Sequence, residues 1–192
     1  MPATLPITDR EDVKKMLAYL RARSPRDALL FQTGVNTILR IGDLLKLTVK
    51  HVAKSDGTIR KYIDIKEQKT SKYNRIVITS TLAPVLKKYI SNYNLDPDDY
   101  LFYRYWKCKD FNIPITRDWS SKILCAAAEA CGIENFNTHS MRKTHAYHIY
   151  KTTHHDIALV SSLLNHANPA VTFRYLGITQ EVADKAREII AF

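Results

Sequence analysis

The chain has 192 residues, and its 29 Lys and Arg against 19 Asp and Glu give a formal charge of +10, a field that favours polyanions and above all nucleic acid. Its length and ordinary apolar content suffice for the core of one domain, while the odd set Cys108, Cys125 and Cys131 forms no CxxC pair and no disulfide framework. No run of about 20 apolar residues offers a membrane span, and nothing at the N-terminus reads as a signal peptide, so no membrane partner and a cytoplasmic setting are expected.

In chain order, Thr8-Asp-Arg-Glu11 reads as a capping box opening a helix with Val13, Met16, Leu17 and Leu20 at helical spacing. Ser24-Pro25 restarts a helix with proline in the first turn, and a break follows near Asn36-Thr37. "LRIGDLLKL" is a further short helix with Leu44, Leu45 and Leu47 turned inward. From Val49 the period changes towards strand, with a Ser-Asp-Gly turn and alternating Ile59, Ile63 and Ile65. "NRIVITS", Asn74 to Ser80, is the pairing strand, and the polar "KEQKTSKYN" between them is the hairpin tip.

Helix returns after Thr81, and Asp96 to Pro114 is expected as aromatic-bearing loop. Thr116 caps an Ala-rich helix that Gly132 ends. Another helix covers "NTHSMRKTHAYHIY", with Thr138 as its cap, and one more runs from Asp156 to Leu164 with Asn165 as a left-handed stop. A last amphipathic helix starts at Thr179 and presents Val182, Ala186, Ile189 and Ile190. The expected fold class is therefore α+β, mainly α-helical, with a small antiparallel sheet or hairpin near residues 49–80.

Several chemistries lack their signatures. His145 and His148 share a helix face, but HxxH without an acid or cysteine at ligand spacing is a weak metal motif, so no metal and no cofactor are expected. GxSxG, Walker A and dinucleotide glycine fingerprints are missing, and the chain has five glycines in all. An anion fits better. His139 and Arg142, three apart, would stack in the first helical turn beside free amides and the positive end of the helix dipole. Arg40 sits in an apolar stretch, where a salt bridge to Asp43 is its ordinary role. Lys69, His166 and Tyr175 are each unremarkable singly. Together, two arginines, two histidines, a lysine and a tyrosine are the parts for metal-free phosphoryl transfer.

Those residues also resemble, in order and context, the catalytic domain of the tyrosine recombinases, or phage integrases. "NTILRIGDLLKLTVKHV" is similar to the family's first arginine box, giving Arg40 with Asp43 at the adjoining acidic position. "KEQKTSKYNRIVIT" resembles the hairpin of the catalytic lysine, Lys69. "HSMRKTHAYHIY" resembles the HxxR box with His139 and Arg142, and "LLNHANPAVTFRYLGIT" the terminal box with His166 and the nucleophile Tyr175. Ile38 and Asn165 stand where the family often has glycine.

The resemblance implies site-specific DNA recombination through a 3′-phosphotyrosyl intermediate, independent of metal and ATP, as in integration, excision or inversion. Type IB topoisomerase-like relaxation and a non-catalytic DNA-binding accessory role are the alternatives. It further implies one catalytic domain over residues 1–192 without an N-terminal core-binding domain. The tail 176–192 would dock on a neighbouring subunit, although its apolar stripe would serve equally well folded back on its own domain. The partners would be double-stranded DNA and other protomers in a tetramer on DNA, the free protein being a monomer. The basic excess makes Lys72, Arg75, Arg104, Lys107, Lys109, Arg117, Lys122 and Lys143 candidates for phosphate contacts.

Overall fold

The computed structural model describes residues 4–68, 71–106, 108–166, 168–177 and 188, with the backbone alone for 105, 106 and 108–112. The chain opens with α1 (Arg10–Arg23), whose cap is Asp9 and not Thr8: Asp9 Oδ1 accepts from the Glu11 amide at 2.8 Å. A one-residue shift costs nothing here, because aspartate caps as well as threonine. Ser24 closes α1 and caps α2 (Pro25–Asn36), with Pro25 in the first turn as expected. Two short turns follow, α3 (Ile41–Leu44) and α4 (Val49–Val52). The strand period thus starts later than Val49, because Thr48 and His51 cap a helical turn there.

β1 (Tyr62–Lys66) and β2 (Tyr73–Val77) form the expected antiparallel hairpin, in register Tyr62 with Val77 and Lys66 with Tyr73. Next come α5 (Ala83–Tyr93), β3 (Tyr103–Trp106) and β4 (Cys108–Pro114). This second antiparallel pair replaces the latter part of the loop expected over 96–114, while 96–102 is loop and turn as expected. The aromatic residues of "FYRYW" are strand formers, a preference outweighed in the sequence by the flanking Asp and Pro.

The C-terminal half is helical. Thr116 caps α6 (Arg117–Ala130), accepting from the Trp119 amide at 3.1 Å, and Gly132 at φ 74° ends it. α7 (Thr138–Thr152), α8 (Ile157–Leu163) and α9 (Pro169–Leu176) complete the described elements. α9 was hidden in the sequence because its apolar face is short, yet Asn168 caps it through the Ala170 amide at 2.8 Å and Pro169 opens it. The expected helix from Thr179 lies outside the described residues, apart from helical Glu188.

Two buried clusters hold these pieces. The larger joins α1, α2, α5 and α6 around Phe31, Leu30, Leu86, Phe102 and Leu124. The smaller consists of Ile38, Ala146, Val160, Leu164 and Leu176, with Tyr175 packed against it, so it fastens α7, α8 and α9 to the segment before α3. Burying a side chain such as Ile38 contributes about 2 kcal/mol. α7 also approaches α2 so closely that a Cβ at Gly34 would lie 2.4 Å from Met141 Sδ. No helix among the described residues is long and apolar enough to cross a membrane.

Candidate active site

α7 carries two of the expected residues. Its cap is Asn137 and not Thr138: Asn137 Oδ1 accepts from the His139 amide at 2.8 Å, and Ser140 Oγ accepts from the Asn137 amide at 3.1 Å. His139 therefore lies in the first turn, but Arg142 falls in the second. Cap bonds occupy first-turn amides that the sequence offered to an anion, so the side chains carry the charge of this site.

Arg142 is 3% exposed. Its Nη2 donates to the Leu164 carbonyl at 2.9 Å, and its Nη1 donates to the Ile38 carbonyl. One guanidinium thereby joins α7 to the end of α8 and to the segment before α3. Burial pushes its pKa down and the Arg40 charge adds to that, while Tyr175 and Glu67 oppose it. Arginine stays charged through such shifts. Ile38 sits where a glycine is common in the resembling family, and here its side chain belongs to the smaller core.

Arg40 precedes α3 in an extended conformation. Its partner is Glu67, not Asp43: Nη1 stands 2.5 Å from Glu67 Oε2, with the acid side chain 1% exposed and the arginine 21%. Asp43 is buried and accepts from the Gln68 amide at 3.0 Å instead. Glu67 Oε1 also accepts from Asn74 at 3.2 Å and from Asn165 at 3.4 Å. The tip end of the β1–β2 hairpin is thus fastened to both Arg40 and the turn after α8. Sequence reasoning missed Glu67, whose signal is a single acid inside the basic run "KEQKTSK". Lys69, two residues further on, lies outside the described residues.

Tyr175 stands on α9 with its hydroxyl oxygen buried beside the Arg142 guanidinium, outside regular hydrogen-bond geometry. Burial raises its pKa, and the charge and close approach of the Arg142 guanidinium, followed by the Arg40 charge, pull it back. Its ring meets His166 edge-on, with centroids 5.2 Å apart at 82°. His166 Nδ1 lies 3.0 Å from Thr172 Oγ1, and its pKa is lowered by burial and then by Arg142 and Arg40. Asn165 has the left-handed φ of 57° expected of it, which turns the chain from α8 towards His166.

His139 is exposed and lines a cleft of about 420 Å³ together with Arg40, Asp43, Gln68, Arg117 and Ser121. Arg40 is thus the common neighbour of the other four described site residues: it borders this cleft with His139 and acts on Arg142, His166 and Tyr175. His145 and His148 serve the fold, His145 Nδ1 lying 2.8 Å from the Val35 carbonyl and His148 Nε2 lying 3.2 Å from the Ile7 carbonyl.

The candidate phosphate contacts divide. Lys72, Arg104, Arg117 and Lys122 are exposed, and Arg117 reaches Gln68 Oε1 at 3.2 Å at the cleft. Arg75 is exposed but forms a two-bond pair with Asp64 at 2.6 and 3.2 Å, which offsets its charge locally. Lys143 is turned inward, because it donates to the Thr4 carbonyl at 2.6 Å and its Nζ lies 4.9 Å over the Tyr175 ring. Lys107 and the side chain of Lys109 lie outside the described residues.

The "Probable integrase/recombinase YoeC" of Bacillus subtilis (strain 168) is 36% identical over 184 residues, covering 96% of this chain and 95% of YoeC. Among solved structures, XerA recombinase superposes with a TM-score of 0.73 at 18% identity, over all of this chain and 65% of XerA. XerH site-specific recombinase, bound to its palindromic difH substrate in a post-cleavage complex, gives 0.70 at 24%, over 98% of this chain and 53% of XerH. The chain therefore spans between half and two thirds of these structural neighbours. The family model of the phage integrase family matches residues 7–181, and the chain belongs to that family of tyrosine recombinases.

Proposed function

We propose that this chain cuts and rejoins double-stranded DNA in site-specific recombination, with Tyr175 as nucleophile. The observation that carries this is the convergence of Arg40 and Arg142 on one buried phenol. A phosphodiester repels nucleophiles through its own charge, and its transition state spreads further charge over the non-bridging oxygens. Two permanent, planar cations meet that charge and make a metal ion unnecessary.

Tyr175 Oη forms the bond to phosphorus while the bond from phosphorus to the 5′-oxygen breaks. His139 takes the phenolic proton, Lys69 gives one to the departing 5′-oxygen, and His166 binds a non-bridging oxygen. The new ester keeps the energy of the old one, so rejoining requires no ATP. Lys72, Arg104, Arg117 and Lys122 bind backbone phosphates on either side. Leu176 is held in the smaller core, and the tail after Gly177 docks on a neighbouring protomer, so that DNA assembles a tetramer from free monomers.

A plasmid with two cognate sites separates this reading from its rival. Recombinant products are expected. Relaxation of supercoils without recombinants would point to a type IB topoisomerase instead.

A further inference from the structure

We infer that Glu67 is a positioning residue that fixes the Arg40 guanidinium relative to Arg142 and His166 by closing a ring of contacts around the site. Arg142 makes one half of the ring. It donates to the Ile38 and Leu164 carbonyls and so draws the segment before α3 against the end of α8. Glu67 makes the other half, a step further along both segments. Its Oε2 accepts at 2.5 Å from Arg40, which lies two residues after Ile38. Its Oε1 accepts at 3.4 Å from Asn165, which directly follows Leu164. A cation that donates to two carbonyls and an anion that accepts from two side chains therefore pin the same two segments at two levels. His166 is next after Asn165, so both arginines and this histidine share one frame.

The acid is held firmly enough to serve as an anchor. Its side chain is 1% exposed, and Asn74 also donates to Oε1 at 3.2 Å. Its backbone amide donates to the Lys72 carbonyl at 2.9 Å, across the end of the hairpin. Arg40 is the movable partner, because its long side chain is partly exposed and borders the cleft of His139. Among the described residues, Nη1 is its one nitrogen with a protein partner, which leaves Nε and Nη2 to meet an anion. A buried carboxylate at one end of the guanidinium and an open cleft beside it thus aim those donors outward.

The consequence deepens the recombinase reading and rests on it. A guanidinium set in place beforehand meets the phosphate without first giving up the freedom of a long side chain. Glu67 therefore acts on the rate of cleavage and not on the grip on the duplex, which exposed cations elsewhere supply. Charge alone is not enough. Aspartate keeps the charge but is one methylene shorter, and glutamine has one acceptor oxygen for the donors that two oxygens now serve.

Two measurements test the ring. The first needs no DNA: side-chain nitrogen NMR of the isotope-labelled full chain follows Arg40, assigned by the signals lost in Arg40→Lys. Wild type should show a rigid, slowly exchanging guanidinium, and Glu67→Gln and Glu67→Asp should each show a mobile one. The second is single-turnover cleavage of a nicked duplex bearing the cognate site. At saturating protein both Glu67 variants should cleave about tenfold more slowly, the cost of ordering one long side chain, with duplex affinity unchanged. Asn165→Gly suits the left-handed turn at φ 57° and removes only the second tie, so it should slow cleavage less. It carries the test if the Glu67 variants do not fold. A mobile Arg40 in wild type, or an equally rigid one in a folded Glu67 variant, would overturn the proposal. So would a wild-type rate in a folded Glu67 variant or in Asn165→Gly, or a loss of affinity in place of rate. If wild type itself leaves the duplex uncut, the recombinase reading falls, and the spectra still decide whether Glu67 fixes Arg40.

Discussion

Arg40 Nη1 lies 2.5 Å from Glu67 Oε2, so an arginine expected to pair with its neighbour Asp43 reaches across to the tip end of the hairpin instead. The pair has both a structural and a functional side, and these separate by mutation. Arg40→Ala leaves Glu67 as a buried carboxylate without its cation, a change that costs about 3 kcal/mol. Adding Glu67→Gln removes the stranded charge and should recover much of the stability while activity stays absent. Thermal denaturation and DNA cleavage, measured on both variants and on the pair, check this. If Arg40→Ala melts like wild type, the pair does not stabilise the fold.

The Tyr175 hydroxyl is buried beside the Arg142 guanidinium, whose regular hydrogen bonds go to the Ile38 and Leu164 carbonyls. Tyr175→Phe should therefore abolish strand cleavage while changing stability by no more than about 1 kcal/mol. Denaturant titration measures the difference. A much larger loss would mean that the hydroxyl is a main hydrogen-bond partner of Arg142 in the fold.

Burial lowers the pKa of His145, His148, His51 and His166, with Arg10 adding to the effect on His148, Lys50 on His51 and the two arginines on His166. Below about pH 6.5 the unfolded chain binds more protons at these sites than the folded one. Stability is therefore full above that pH and falls as acid approaches the depressed folded values. His145→Asn keeps a donor for the Val35 carbonyl but cannot titrate. Its melting temperature should fall less than that of wild type between about pH 7 and about pH 5. An identical fall would remove His145 from this account.

DNA affinity should fall steeply with salt, and replacing Arg117 or Lys122 with Gln should each flatten the log–log slope by about one unit. Arg75→Gln should change it less, because Asp64 already offsets that charge. Binding isotherms over a range of salt concentrations measure all three slopes. Equal slopes in wild type and the Arg117 variant would place the duplex elsewhere on the surface.

Much of this was legible in the sequence, for identifiable reasons. Ser24-Pro25, Thr116, Gly132, Asp156 and Asn165 mark helix ends by local chemistry, and each does so in the structure. Arg142 and Tyr175 could be singled out by their boxes, but not their burial, which depends on Ile38 and Leu164 arriving from other segments. Glu67 was illegible because its role is a contact between residues far apart in the chain. The β3–β4 hairpin was missed because strand pairing is a tertiary decision that flanking Asp and Pro obscured.

The central claim is that Tyr175 attacks a phosphate held between Arg40 and Arg142. The most direct measurement is mass spectrometry of the protein trapped on a nicked suicide duplex bearing its cognate site, digested to peptides. A nucleotide adduct on the peptide of Tyr175, lost in Tyr175→Phe and strongly reduced in Arg40→Lys and Arg142→Lys, is the predicted result. An adduct on another residue, or one that persists in Tyr175→Phe, would contradict the account.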